Sequence, residues 1–252
     1  MSESAASGWP EVGPIADDVA PTVLREGDVE VIGRMPWSSN ATFLVSLKID
    51  TDELLAIYKP QRGERPLWDF PRGTLCNREV AAREVSEALG WALVPDTVLR
   101  DGPVGLGMMQ RFVHHDPEEH YFTLLADHAD DFRRMAAFDI VINNTDRKGG
   151  HCLRATADGS IFGIDHGVSF HTQWKLRTVI WEFGGESIPA DVCSDLHRFV
   201  EQLQSGPGCE HLKQSLDRFE LDAMQARLHN LLANGEYPDA DRDYHSYPWP
   251  TI

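Results

Sequence analysis

The sequence predicts an α+β chain built as two lobes, a small β-rich lobe followed by a helical one. Three observations lead there. Between residues 28 and 113, short strand-like runs are separated by Pro, Gly, Ser and Asn, with one helix-period stretch inserted. From about residue 122 the apolar spacing becomes helical. Directly after the apolar stretch Phe138 to Ile142 stands the polar loop "NNTDRKGGH", Asn143 to His151.

Taken in order, residues 1–20 are rich in Ser, Pro, Gly and acids and read as a mobile segment. Residues 21–113 form the first lobe and its hinge. "DVEVIGRM" and "ATFLVSLKI" read as strands around the turn "PWSSN", and "LLAIYKP" is a third strand closed by Pro60. "QRGERPLWDFPRGTL" is loop. Asn77 is suited to cap the helix "REVAAREVSEALG", which Gly90 ends. "VPDTVLRDGPVGLGMMQRFV" supplies two strands around a Gly/Pro turn. Residues 114–252 form the second lobe. Its clearest helix is "HADDFRRMAAFDIVINN". Two short strands follow at about 151–154 and 160–164, then helices at about 190–204 and 209–233, and an irregular tail. Two lobes make a cleft, where ligands bind.

The 252 residues are 42% hydrophobic, enough for a sizeable core, and carry a net charge of −17. That charge argues against non-specific nucleic-acid binding and against docking on anionic lipid by charge alone. The four cysteines, at 76, 152, 193 and 209, form no C-x-x-C pair. The N-terminus lacks a basic start and an apolar core, so no signal peptide is expected, and no run of about 18 apolar residues predicts a membrane span. The reading is a cytoplasmic protein with reduced thiols.

In the polar loop, Asp146 is placed to accept a proton from a hydroxyl, and Lys148 to neutralise a transferring phosphoryl group. His151, five residues after Asp146, and Asp165 in "GIDHG" are placed to hold a metal. Phosphoryl transfer needs these parts and a cation on the first lobe to grip nucleotide phosphates. Lys59 fits that role. Its acidic partner is Glu79 or Glu84 on the inserted helix, and periodicity puts Glu84 nearer the apolar face of Val80, Val85 and Leu89.

The order Lys59, Glu79, Asp146, Asp165 and the loop "NTDRKGGH" resemble the protein-kinase-like superfamily, in particular a bacterial family related to phosphatidylinositol 3-/4-kinases and HipA-type kinases. The resemblance covers about residues 28 to 232 and implies a bilobal protein-kinase-like fold. It implies an ATP-dependent kinase acting on a small-molecule or protein hydroxyl, with Mg2+ or Mn2+. Lys59 would contact the nucleotide phosphates and Glu79 would hold Lys59. Backbone groups of Gln110, Arg111, Phe112 and Val113 would meet adenine. Ser38, Ser39 and Asn40 would cover the phosphates. Asp146 would be the base, Lys148 would steady the γ-phosphate, and Asp165 would chelate metal.

Two departures stand out. No G-x-G-x-x-G marks the phosphate loop, which fits the lipid-kinase-like branch. His151 stands where the family usually has a metal-binding Asn, and imidazole suits softer ions than magnesium. A nucleotide-binding pseudokinase or an AMP transferase on the same scaffold stay open as alternatives. "HHDPEEH" at 114–120 reads as an exposed loop rather than a metal site. In "WKLRTVIW" two readings stand together: packing by Trp174, Ile180 and Trp181, or phosphate recognition by Lys175 or Arg177.

Overall fold

The computed structural model describes residues 10, 12–13, 15–35, 40–205, 208–241 and 245–252, without the side chains of 205, 208 and 209. The first lobe is an antiparallel sheet of β1 (Asp28–Arg34), β2 (Phe43–Ile49), β3 (Asp52–Pro60), β4 (Thr97–Gly102) and β5 (Gly105–Arg111), in the spatial order β1-β2-β3-β5-β4. Side chains alternate between the two faces of a strand. Val45, Leu47, Leu54, Ala56, Tyr58 and Met109 therefore share one face, and they pack on Ala20, Val23 and Leu24 of helix α1 (Ala20–Glu26). The opposite face carries Lys59, which pairs with Met108, and Ile57, which pairs with Gln110. Gly107 lets β5 pass close to this end of β3: a Cβ there would stand 2.5 Å from the Lys59 carbonyl oxygen.

Helix α1 was not expected. Pro21 at its start and the surrounding acids and glycines disguise a seven-residue helix, yet Ile15 and Val19 just before it also pack on the sheet core. The first lobe thus has a helix on each face rather than one helix in all. The inserted helix α2 spans Leu75–Leu89, and Gly90 closes it in the left-handed region at φ 74°. Thr74, not Asn77, stands at its N-cap. Asn77 lies inside the first turn, with its side-chain oxygen buried.

The second lobe is built on α4 (Ala129–Ile142), preceded by the single turn α3 (Tyr121–Leu124). α4 buries Phe132, Met135, Phe138, Val141 and Ile142 in a core shared with Ala81, Ala82, Val85 and Leu89 of α2. It ends at Asn143, another left-handed cap at φ 53°. The Asn143 amide donates to the His171 and Gln173 carbonyls and accepts the Lys175 N–H, so the helix end also holds residues 171–175. β6 (Cys152–Arg154) and β7 (Ile161–Gly163) form a small hairpin.

Helices α5 (Ala190–Ser205), α6 (Gly208–Ser215) and α7 (Arg218–Asn234) complete the lobe. The single helix expected over 209–233 is broken at Leu216 and Asp217. Asp217 caps α7, accepting from the Glu220 N–H at 2.9 Å, while Glu220 accepts from the Asp217 N–H at 2.9 Å. Glu220 also pairs with Arg78 of α2, tying the two helices together. Among the described residues no helix is long and apolar enough to cross a membrane.

Candidate active site

Lys59, at the end of β3, is the point where the lobes meet. Its Nζ donates to Glu79 Oε1 at 2.6 Å and to Asp165 Oδ1 at 2.8 Å. Glu84 takes no part; it lies one and a half turns further along α2, and burial pushes its carboxyl upward. α2 is buried around much of its circumference, Arg78 and Glu79 included, so an apolar stripe does not mark its inner face. Burial alone would lower the Lys59 value, but the Asp165 and Glu79 carboxylates outweigh it and hold the ammonium charged. Lys59 in turn holds Asp165 well below the usual carboxylate range. Burial pushes Glu79 the other way, against the pull of Lys59. Asp165 follows β7 at φ 60°, a left-handed conformation that Asp tolerates better than most residues.

The loop after α4 brings up the second half of the site. The Asp146 N–H donates to Asn144 Oδ1 at 3.0 Å, and Lys148 Nζ pairs with Asp146 Oδ2. Burial raises the Asp146 carboxyl above its ordinary value, opposed by Lys148 and by the charge of Arg177. His151 ends the 3₁₀ turn Gly149–His151, with Nε2 3.6 Å from Asp165 Oδ2. Its Nδ1 accepts the Lys148 N–H at 3.4 Å. A neutral ring so placed carries its proton on Nε2, facing Asp165. A cation between the two would need that proton moved to Nδ1 or the ring turned over.

Burial, with the charges of Arg147, Lys148 and Lys59, lowers the His151 value from 6.5 to about 4. Folding feels this shift. Between those values the unfolded chain binds the proton and the folded chain does not, so stability is full above pH 6.5 and drops as pH falls toward 4. Going from pH 7.5 to 4.5, wild type is expected to lose on the order of 2 kcal/mol more than His151→Asn. Urea titrations of both proteins at the two pH values check this, and equal losses would refute it.

Behind the loop lies a buried network that sequence reasoning missed. Asp139, within the apolar run of α4, accepts from Arg147 Nε at 3.0 Å and Nη2 at 2.9 Å, and from Asn144 Nδ2 at 3.0 Å. Arg147 also reaches the Ile164 carbonyl and His166 Nε2, the latter at 2.7 Å. Arginine only donates, so His166 accepts at Nε2 and carries its proton on Nδ1. Burial and Arg147 hold His166 neutral. The His166 N–H donates to Glu79 Oε2 at 2.8 Å. One carboxylate thus holds Lys59 with one oxygen and the Asp165–His166 turn with the other. An acid inside "FDIVI" was the available signal.

The remaining expected positions fare unevenly. Ser38 and Ser39 lie outside the described residues. Asn40 Oδ1 accepts the Arg65 N–H at 3.0 Å, tying its strand entry to the loop after β3. Gln110 sits in the sheet with its amide on Thr97 Oγ1. The N–H groups of Arg111 and Phe112 are taken by the Asp96 and Leu55 carbonyls, so neither donor is available to an adenine edge. Val113, just past the strand, is the one of the four that stands beyond the ladder. Lys175 bonds Asp69 Oδ2 at 2.8 Å and lies over the Trp68 ring, while Ile180 is core. In "HHDPEEH", Glu119 pairs with Arg154. Among the described residues no group of three or more His, Cys, Asp or Glu side chains is arranged to hold a metal.

The family model for phosphatidylinositol 3- and 4-kinase matches residues 100–217, which contain Asp146, Lys148, His151 and Asp165. Protein Rv2133c of Mycobacterium tuberculosis is 39% identical over 265 residues, spanning 91% of this chain and 94% of that one. Among solved structures, hydra Fam20 with sugar aligns with a TM-score of 0.52 at 12% identity, over 87% of this chain and 89% of that one. The Helicobacter pylori proinflammatory kinase CtkA aligns with a TM-score of 0.47 at 14% identity, over 82% and 98%. The chain belongs to the family that includes Rv2133c, with a phosphatidylinositol 3- and 4-kinase domain match over residues 100–217, and it has a bilobal protein-kinase-like fold.

Proposed function

We propose that the chain transfers the γ-phosphate of ATP to a hydroxyl of a small molecule or protein. The observation that carries this reading is Lys59, which meets Glu79 on the first lobe and Asp165 on the second, 106 residues away, beside the Asp146–Lys148 pair. ATP lies between the lobes, residues 21–113 and 114–252, with its phosphates on Lys59. Asp165 Oδ2 and a tautomer-shifted His151 are the donors for the divalent ion. Two side chains fit an ion that takes its other ligands from phosphates and water. The ion, Mg2+ or Mn2+, supplies charge neutralisation on the phosphates. Asp146 takes the proton of the acceptor hydroxyl as its oxygen bonds to the γ-phosphorus. The bond to the bridging oxygen breaks and ADP leaves. Lys148 stands beside Asp146 to meet the charge on the transferring group.

ATP with Mn2+ is expected to raise the melting temperature, because it binds the folded state alone. Lys59→Met should remove most of that rise. A rise of unchanged size in the variant places the nucleotide elsewhere. A second reading, a nucleotide-binding regulatory module, is favoured by the proton on His151 Nε2, which faces Asp165 where an ion would bind. ATP binding without ADP release under either metal would support it over transfer.

A further inference from the structure

The chain from His245 to Ile252 forms no helix or strand, yet it is bonded to two segments beside Asp146. The buried Ser246 accepts, at its carbonyl, the Thr178 N–H at 3.1 Å and the Trp181 indole N–H at 3.0 Å. Its own hydroxyl donates to the Asp241 carbonyl at 3.0 Å. Five residues on, the Thr251 carbonyl accepts the Gly149 N–H at 2.7 Å. The segment Arg177–Val179 is held between this strap and the catalytic loop. The Arg147 N–H donates to the Arg177 carbonyl at 3.0 Å, the Val179 N–H donates to the Arg147 carbonyl at 3.1 Å, and the Thr178 N–H faces the strap.

Gly149 is what lets the strap close tightly on the loop. A Cβ on Gly149 would stand 3.1 Å from the Phe122 ring and 3.3 Å from the Thr251 carbonyl oxygen. A Cβ on Gly150 would touch the Ile252 side chain at 4.0 Å. Two adjacent glycines make this the freest stretch of backbone in the loop, and Lys148 and His151 stand at its two ends. Gly149 is buried, so its N–H needs a partner, and the Thr251 carbonyl is that partner.

We propose that the strap from Ser246 to Thr251 is a positioning element of the active site. It clamps the Gly149–His151 turn from outside, fixing Lys148 against Asp146 and His151 opposite Asp165. The clamp stands on geometry alone; its effect on rate rests on the phosphotransferase reading.

Deleting Thr251 and Ile252 leaves the Ser246 anchor in place and removes the clamp. Hydrogen exchange of peptides covering 147–152 is expected to speed up about tenfold or more, while α4 stays protected. With ATP and Mn2+, kcat for ADP release should fall about 10- to 100-fold from the misplaced loop, with KM for ATP changed less than about threefold. Restoring the backbone with Thr251→Ala and Ile252→Ala should recover both the protection and the rate, since a carbonyl makes the bond. Unchanged exchange around Gly149 would overturn the clamp. Faster exchange with an unaltered kcat would overturn its part in the site, as would failure of the Ala-Ala ending to rescue. If wild type shows no ATP-dependent rise in melting temperature, the phosphotransferase reading fails, and the exchange comparison then decides the clamp by itself.

Discussion

Asp146→Asn is expected to lower turnover by about 10²- to 10⁴-fold, the range of general base catalysis, while leaving ATP binding as in wild type. The carboxylate is aimed by two neighbours: its own N–H is held by Asn144, and Lys148 grips one oxygen. Burial raises its proton affinity, which makes it a better base than a free aspartate as long as it stays ionised. Asparagine keeps the shape and loses the basicity. Lys59 and Asp165, on the nucleotide side, are untouched by the change. The checks are ADP release under saturating ATP and Mn2+, and the ATP-induced rise in melting temperature. Full-rate turnover removes Asp146 from the mechanism. A lost thermal shift would instead assign it to nucleotide binding.

The parts of this molecule that short-range chemistry decides were legible in the sequence. The strands of the sheet alternate about turn residues, Gly90 ends α2, and the polar loop follows a long apolar helix. Lys59 was identifiable from its place at a strand end ahead of an acidic helix. The parts decided by long-range partners were not. Glu79 is buried because Lys59 and His166 bond its two oxygens, so hydrophobic periodicity pointed to Glu84 instead. Arg78 finds Glu220 across 142 residues of chain, and no local pattern encodes that. The break between α6 and α7 was different: D-R-F-E at 217–220 is a capping signature, hidden inside a run that also scans as one helix. Backbone groups of Arg111 and Phe112 were expected to meet adenine; their N–H groups are taken by the Asp96 and Leu55 carbonyls, a pairing that no local pattern announces.

The largest expected effect on stability is at Asp139. Asp139→Ala should cost about 3–5 kcal/mol, the range for removing one partner of a buried ion pair. Asp139 and Arg147 are both fully buried, and the guanidinium meets the carboxylate through two nitrogens. Arginine stays protonated, so the variant leaves a cation in the core. Its remaining partners are the Ile164 and His151 carbonyls and His166 Nε2, none of which carries charge. Asn144 loses an acceptor as well. Urea unfolding measures the loss, and Asp139→Asn, which keeps one acceptor oxygen, provides a milder variant if alanine fails to fold. Pairing Asp139→Leu with Arg147→Met removes both charges and should recover part of the loss, because the desolvation cost disappears with the attraction. The double variant would still lack the Arg147 link to His166, so its ATP-induced thermal shift should stay reduced even where its stability returns. A double variant no more stable than Asp139→Ala would show that the isolated charge is not what unfolds the chain.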